Sequence, residues 1–328
     1  MNECFVLFGA GAAGRYALKY LRERGDHVIA FADNDPAKHG MAIEGVPVRS
    51  PQSAKRDFVC TWIATAISRP AATEIREELA TMGVKIKPLW ECIPVYHGLP
   101  TAHTFESVYR LASDSDSHAE LLNQRRFRLS PDYDIQYDPS PKEETYFPPF
   151  IKHLDEERFL DCGAADGDTI TAFKAKWEKY ASIVAMEPDF INYEKLIALH
   201  PDVDALPWAV GDTAGRFAFK SNGDYSSSFG LGDNVTCTKL DNVLMEPPTY
   251  IKMDIEGAEL EALWGARKLL KEHKPVLAIC AYHTSDHLWE IPLLIHAIQP
   301  DYKLHLRRYA EGAWELVWYA IPAERVIL

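Results

Sequence analysis

The chain has 328 residues, enough for two domains with separate cores, and its 47% hydrophobic and 25% charged content is that of a folded globular protein. The formal net charge of −13 argues against a general nucleic-acid binder, which needs a basic face for phosphates. No apolar run approaches the roughly 18 residues of a membrane span, and no basic segment precedes the first apolar run, so neither a membrane partner nor a signal peptide is expected and the cytoplasm is the expected location.

Residues 1–97 alternate between strand and helix signals. Cys4–Phe8, His27–Ala32, Phe58–Thr65 and Val84–Lys87 are short apolar runs, with helical spacing over Ala12–Arg24 and Ala71–Met82. Such alternation predicts a parallel sheet with crossover helices. FGAGAAG places Gly9, Gly11 and Gly14 in a complete GxGxxG between the first strand and the first helix, and Asp33 ends the next strand, 19 residues after Gly14. Glycines there let backbone N–H groups approach a pyrophosphate at a helix N-terminus, and the acid can accept ribose hydroxyls. Two readings compete. One is a nucleotide or nucleotide-sugar site; the other is a Rossmann-like turn kept only for helix–strand packing. A nicotinamide-dependent sugar oxidoreductase is a rival use of this loop, weakened because no Tyr-x-x-x-Lys pair occurs in the chain.

Residues 98–150 break the alternation. Thr104–Arg128 has helical spacing but is polar, and its cluster Arg125, Arg126 and Arg128 reads as a solvated helix face. Residues 130–149 carry five prolines and the aromatics Tyr133, Tyr137, Tyr146 and Phe147, which suit a linker or a lid over the following site. The six cysteines (4, 60, 92, 162, 237, 280) are scattered without a CxxC pair and read as buried thiols, neither a disulfide frame nor a zinc site.

Residues 151–328 return to alternation, with strands at Arg158–Cys162, Ser182–Glu187, Asp204–Val210, Tyr250–Asp254 and Val276–Tyr282, helices between them, and a closing hairpin of Tyr302–Arg307 and Trp314–Ile321. The second glycine loop, FLDCGAADGDT, carries acids as well as glycines. Asp161, Gly163, Ala164, Asp166 and Gly167 suit a ligand with a cationic amino-acid head and a ribose rather than a diphosphate. Glu187 ends the next strand, placed to grip ribose hydroxyls. Trp208 and Ala209 offer an apolar wall for adenine, and Asp212 can reach its amino group. The fourth strand runs into Lys252, Asp254, Glu256 and Glu259 within eight residues. A buried Lys252 needs a carboxylate partner; Glu259 reads as ordinary first-turn charge on a helix, and Asp254 as functional. His283, at the end of the fifth strand, is a candidate general base. A divalent ion held by Asp254, Glu256 and His283 is conceivable, but the spacing has no dedicated ligand pattern and no metal is expected.

DCGAADGDT, MEP, WAV, the run Ser226–Ser228, TKLD and IKMDIEGAE together resemble the FkbM family of methyltransferases over residues 145–328. AYHTSDHLWEIP is similar to a branch of that family with an added N-terminal Rossmann-like domain. FADNDPAKHGMAIEGVPV resembles, more loosely, the nucleotide-sugar-binding domains of sugar-modifying acyltransferases. The resemblance implies S-adenosylmethionine as donor and O-methylation of a sugar, glycan or natural product. The expected fold is α/β with two doubly wound domains: a Rossmann-like domain at 1–97, a helical connector and lid at 98–150, and at 151–328 a class I methyltransferase sheet ending in a β-hairpin. His283 is the first choice of base, with Asp254 and Glu256 behind it. A non-catalytic nucleotide-sugar-binding protein is the remaining rival, and a homo-oligomer stays open.

Overall fold

The computed structural model describes residues 4–65, 69–88, 99–129, 137–220, 228–229, 233–243 and 246–327. They fall into two compact units: Met1–Leu99 with Asn123–Asp138 and Ala310–Ala313, and Pro100–Leu122 with Pro139–Tyr309 and Trp314–Leu328. The segment 98–150, expected as a connector, is thus divided between the two. Tyr133, Ser226 and Ser227 lie outside the described residues, as does Cys92. Among the described residues no helix is long and apolar enough to cross a membrane.

The first unit contains β1 (Cys4–Phe8), α1 (Ala12–Glu23), β2 (His27–Ala32), β3 (Ala42–Ile43), β4 (Val46–Arg49), α2 (Pro51–Asp57), β5 (Thr61–Ala64), α3 (Arg69–Met82) and β6 (Ile86–Pro88). Its six-stranded sheet has the order β3-β4-β2-β1-β5-β6, parallel except for the β3–β4 pair. Val6, Phe8, Ala32, Ala54, Trp62 and Leu79 form a core beneath it. The expected helix, strand and glycine-turn sequence is present, and β3, β4 and α2 are additions. Pro47 within β4 and the brevity of β3 hide both strands from a periodicity reading. One expectation fails among the cysteines. Cys4 and Cys60 meet across the β1–β5 side of the sheet as a disulfide, while Cys162, Cys237 and Cys280 are buried thiols as expected. A separation of 56 residues conceals the pair until the two strands lie side by side. The basic cluster also departs from its reading, since Arg125 and Arg126 are exposed but Arg128 is buried.

The second unit opens with α4 (Ala102–Leu111) and the first half of α5 (Ser115–Leu129). The single polar helix expected at 104–128 is therefore two, parted at Ala112–Asp114. There follow β7 (Arg158–Cys162), α6 (Asp168–Lys176), β8 (Ser182–Met186), α7 (Phe190–Leu199), β9 (Asp204–Leu206), β10 (Trp208–Val210), β11 (Gly215–Lys220), β12 (Ser228–Phe229) and β13 (Asp233–Thr238). The chain then forms β14 (Tyr250–Met253), α8 (Glu259–Gly265), α9 (Arg267–His273), β15 (Val276–Cys280), α10 (His287–Ile298), β16 (Lys303–Arg308) and β17 (Leu316–Ile321).

The main sheet has seven strands in the order β16-β17-β15-β14-β7-β8-β9. The closing β16–β17 hairpin is antiparallel and joins β15 through β17; the other neighbours are parallel. Strands β14 and β15 are buried along their whole length, as expected for a parallel sheet covered on both faces. Below β7, Phe147, Phe159, Phe173 and Trp177 pack as an aromatic cluster, with Phe159 and Phe173 stacked at 4.5 Å. Phe147, expected in a lid, is thus a core residue. The expected third strand, Asp204–Val210, is two. Only β9 stays in the main sheet, while β10 passes Pro207 into a second, four-stranded sheet of order β10-β13-β11-β12. A proline cannot donate to a ladder, which accounts for the break.

Candidate functional site

The strand order sets the site. It places β7 beside β14, and β14 beside β15, so loops distant in sequence meet at one edge of the sheet. The β7–α6 loop holds Asp161, Gly163, Ala164, Asp166 and Gly167. Gly163 has φ +76°, and a Cβ there would run into the Asp254 carbonyl, so only glycine lets this loop close against the end of β14. Gly163 and Ala164 donate their N–H groups to the Met186 carbonyl, tying the loop to β8.

Glu187 is 5% exposed and accepts from Ala165 N (2.8 Å) and Asp189 N (2.7 Å). Burial pushes its carboxyl up to about 7, against the pull of those two backbone donors. Trp208 is half-buried, Ala209 is buried, and Asp212 is exposed with its carboxylate on the Thr213 hydroxyl. All three follow β9 rather than continuing it, so the residues expected as an adenine wall on the main sheet lie at the start of the second one.

Asp161 and Lys252 lie opposite each other in register and form an ion pair of 3.1 Å, at 0% and 3% side-chain exposure. Lys252 also donates to the Gly163 carbonyl at 2.7 Å and lies 5.3 Å from the centre of the Tyr146 ring. Burial opposes its charge, but Asp161 and then Asp254 outweigh that and hold the ammonium charged. Burial likewise lifts Asp161, to about 6, with Lys252 working against the rise. Apart from the lysine contact, both Asp161 oxygens lack a hydrogen bond.

Beyond Met253 the chain turns through Glu256 (φ +55°) and Gly257 (φ +101°) before α8 begins. Asp254 Oδ2 accepts from the Tyr146 hydroxyl at 2.8 Å, and its Oδ1 lies 3.1 Å from His283 Nε2 and 3.4 Å from the Tyr282 hydroxyl. Glu256 Oε1 is 3.6 Å from the same histidine nitrogen. On the other side of the ring, His283 Nδ1 meets Glu259 Oε1 at 2.8 Å. Glu259 is fully buried, also accepts from Ile255 N and Gly257 N, and lies 3.1 Å from His287. Burial disfavours charge at all three central groups. Even so, His283 and then Lys252 keep Asp254 below the carboxylate range, and His283 brings Glu259 down to about 2. Glu259 and Asp254 in turn hold His283 well above the ordinary imidazole value.

Asp254, Glu256 and His283, expected from sequence as base candidates, therefore do meet. Both nitrogens of His283, the first choice of base, face carboxylates, which favour the protonated ring. Two members of the cluster escaped the sequence reading. Glu259 is in the first helical turn, as expected, but its side chain turns back to orient His283. Tyr146 looked like part of a lid; its N–H donates to the Tyr319 hydroxyl, and the Tyr250 hydroxyl bonds its carbonyl, which fixes it beside Asp254. The EETYFPP segment was the signal for it.

In the first unit, Gly9 and Gly14 are demanded by the fold. A Cβ on Gly14 would collide with the Gly9 carbonyl and crowd Phe31. Gly11 has an ordinary φ of −88°, and no atom lies within 4 Å of where its Cβ would be. Asp33 is already engaged: its oxygens accept from Ala10 N, Asp35 N and Lys38 Nζ at 2.8–3.2 Å. Gly11→Ala should thus leave unfolding free energy within about 1 kcal/mol of the parent, since it neither strains the turn nor overfills a space. Urea denaturation checks this, and a larger loss would mean the turn needs glycine there.

None of the curated proteins matches this chain. The crystal structure of Methyltransferase FkbM from Methylobacillus flagellatus KT is 24% identical, with a TM-score of 0.77 over 97% of this chain and 90% of that one, and shares the fold. UDP-D-quinovosamine 4-dehydrogenase from Vibrio fischeri is 26% identical over 27% of this chain and 78% of that one, at a TM-score of 0.24 too low to carry anything across. The family model described as the methyltransferase FkbM domain matches residues 161–307, from the acid that opens the glycine loop to the β16 strand. The glycine loop and the acid and histidine cluster both lie within this stretch of the second unit that matches the methyltransferase FkbM domain.

Proposed function

We propose that this domain transfers a methyl group from S-adenosylmethionine to a hydroxyl of a sugar, glycan or natural-product acceptor. The observation that carries this reading is the buried Glu187 carboxylate beside the Gly163–Gly167 loop, at the ends of adjacent parallel strands. That arrangement fits a ribose next to an amino-acid head. Asp161 has acceptor capacity left for an ammonium, and Glu187 receives ribose hydroxyls. The donor supplies an electrophilic methyl carbon, whose bond to sulfur breaks as the bond to the acceptor oxygen forms. The chain contributes alignment of that oxygen and an acidic edge, Asp254 and Glu256, toward which the hydroxyl proton leaves. A protonated ether is a strong acid, so a carboxylate of low basicity suffices late in the transfer.

For the first unit we retain a nucleotide or nucleotide-sugar ligand, supported by the open space at Gly11 where α1 begins. The engagement of Asp33 by its own chain favours the packing role instead, and titration with nucleotides decides between them. A cytoplasmic setting goes with this reading.

Donor binding gives the direct test. Calorimetry should show S-adenosylmethionine and S-adenosylhomocysteine binding, and Glu187→Ala should weaken both by about 1–3 kcal/mol, the worth of charged hydrogen bonds. The pH dependence has a fixed sign. The carboxyl titrates near 7 in the free protein, and the ribose contact uses the carboxylate. Affinity should therefore be level above about pH 8 and fall by up to tenfold per unit below about 7. Glu187→Gln should remove that slope. A wild type that binds no donor at any pH would overturn the reading.

A further inference from the structure

The geometry points to a divalent metal site formed by Asp254, Glu256 and His283. One ligand atom from each lies within 4.8 Å of the others, a spread that an ion at ordinary bonding distance can bridge. The independent observation is His283 Nε2. Its side chain is 7% exposed, and this nitrogen makes no hydrogen bond although carboxylate oxygens stand 3.1 and 3.6 Å away. A metal ion between this nitrogen and the two carboxylates satisfies all three groups, the ring proton leaving to solvent as the ion binds.

The surroundings match a built site. Glu259 accepts from His283 Nδ1, which fixes the ring and leaves Nε2 as the inward-facing atom. A metal-binding histidine is ordinarily oriented by such a carboxylate. Tyr146 holds the other Asp254 oxygen. The left-handed turn at Glu256 and Gly257 brings the Glu256 carboxylate back toward the ring, and its 34% exposure leaves one side open to water or to an acceptor oxygen. Two carboxylates and one imidazole suit an ion of the Mn²⁺ type, between the all-oxygen preference of Mg²⁺ and the nitrogen and sulfur preference of Zn²⁺. Its use in catalysis rests on the transfer reading. The ion would take the acceptor hydroxyl as a further ligand and so position it and make it more acidic. The site itself does not depend on that reading. The ligands escape a spacing argument because Glu256 and His283 stand 27 residues apart and meet only through the β14–β15 pairing.

The experiment uses the full chain after treatment with chelator. Mn²⁺ is titrated in with no donor present, and free ion is followed by its electron paramagnetic resonance signal. One ion per chain is expected. Glu256→Gln and His283→Ala should each weaken it at least tenfold, and Glu259→Gln by about 10–100-fold, the usual cost of losing an orienting partner. Glu256 is partly exposed, so its variant keeps the test usable if His283→Ala fails to fold, as judged by circular dichroism. Absence of a stoichiometric site, or Mn²⁺ affinity unchanged in Glu256→Gln, overturns the proposal. Donor calorimetry on the chelated protein separates the two readings. Donor binding without an Mn²⁺ site sinks the metal alone; an Mn²⁺ site without donor binding sinks the transfer reading alone.

Discussion

Lys252→Met is expected to destabilise the second unit by about 3–5 kcal/mol, the cost of leaving one member of a buried ion pair without its partner. Lys252 and Asp161 sit opposite each other on the two central strands, at 3% and 0% side-chain exposure, so water cannot replace the lost ammonium. Lys252 also holds the Gly163 carbonyl, so the substitution should loosen the glycine loop too. Methionine fills much of the same volume, which separates the electrostatic loss from a cavity. The double variant Asp161→Asn/Lys252→Met removes both charges and should recover most of the stability, because replacing a whole buried pair by uncharged groups costs far less than breaking it. Urea unfolding of the two variants and the parent checks this. A single variant within 1 kcal/mol of the parent, or a double variant no better than the single, would show that the pair contributes little.

That ion pair also shows where sequence reasoning reaches and where it stops. A lysine inside the apolar run YIKM, followed directly by acids, requires a partner, and that much follows from the cost of burying charge. Identifying the partner as Asp161 rather than the nearer Asp254 needs the strand order, which no local pattern carries. The same distinction runs through the site. The glycine turns, Glu187 at the end of β8 and Asp254 after β14 are local, because each stands where an apolar run ends. The cluster around His283 is not, because Tyr146, the Asp254–Glu259 stretch and His283 are three separate segments that the fold brings together. Glu259 misled because the first turn of a helix is an ordinary place for an acid, and a side chain that turns back from there looks the same in sequence. Trp208 misled because a strand passing from one sheet to another keeps its apolar character, with Pro207 as the sole mark of the break.

Asp254→Asn should lower kcat by roughly 10²–10⁴, the usual worth of a positioned acid or base group, while S-adenosylmethionine affinity stays within about twofold. The side chain lies at the sheet edge past β14, and its oxygens are met by Tyr146, Tyr282 and His283. Asparagine keeps the size and one acceptor oxygen but removes the charge that balances His283. In the proposed reading the donor contacts fall to Glu187 and the β7–α6 loop, and the Gly163 loop closes against the Asp254 backbone, which the substitution leaves in place. The loss should therefore fall on turnover and not on donor binding. Tyr146→Phe removes only one hydrogen bond to the same carboxylate, worth about 1 kcal/mol, and should cost tenfold or less. His283→Ala should resemble Asp254→Asn in kcat, since the two act as one charged unit. The assay counts S-adenosylhomocysteine formed with whichever acceptor from a sugar, glycan and natural-product panel supports turnover. If Asp254→Asn keeps parental kcat while His283→Ala is inactive, the acceptor's proton leaves through the histidine, and the acidic edge of β14 serves only to hold the ring.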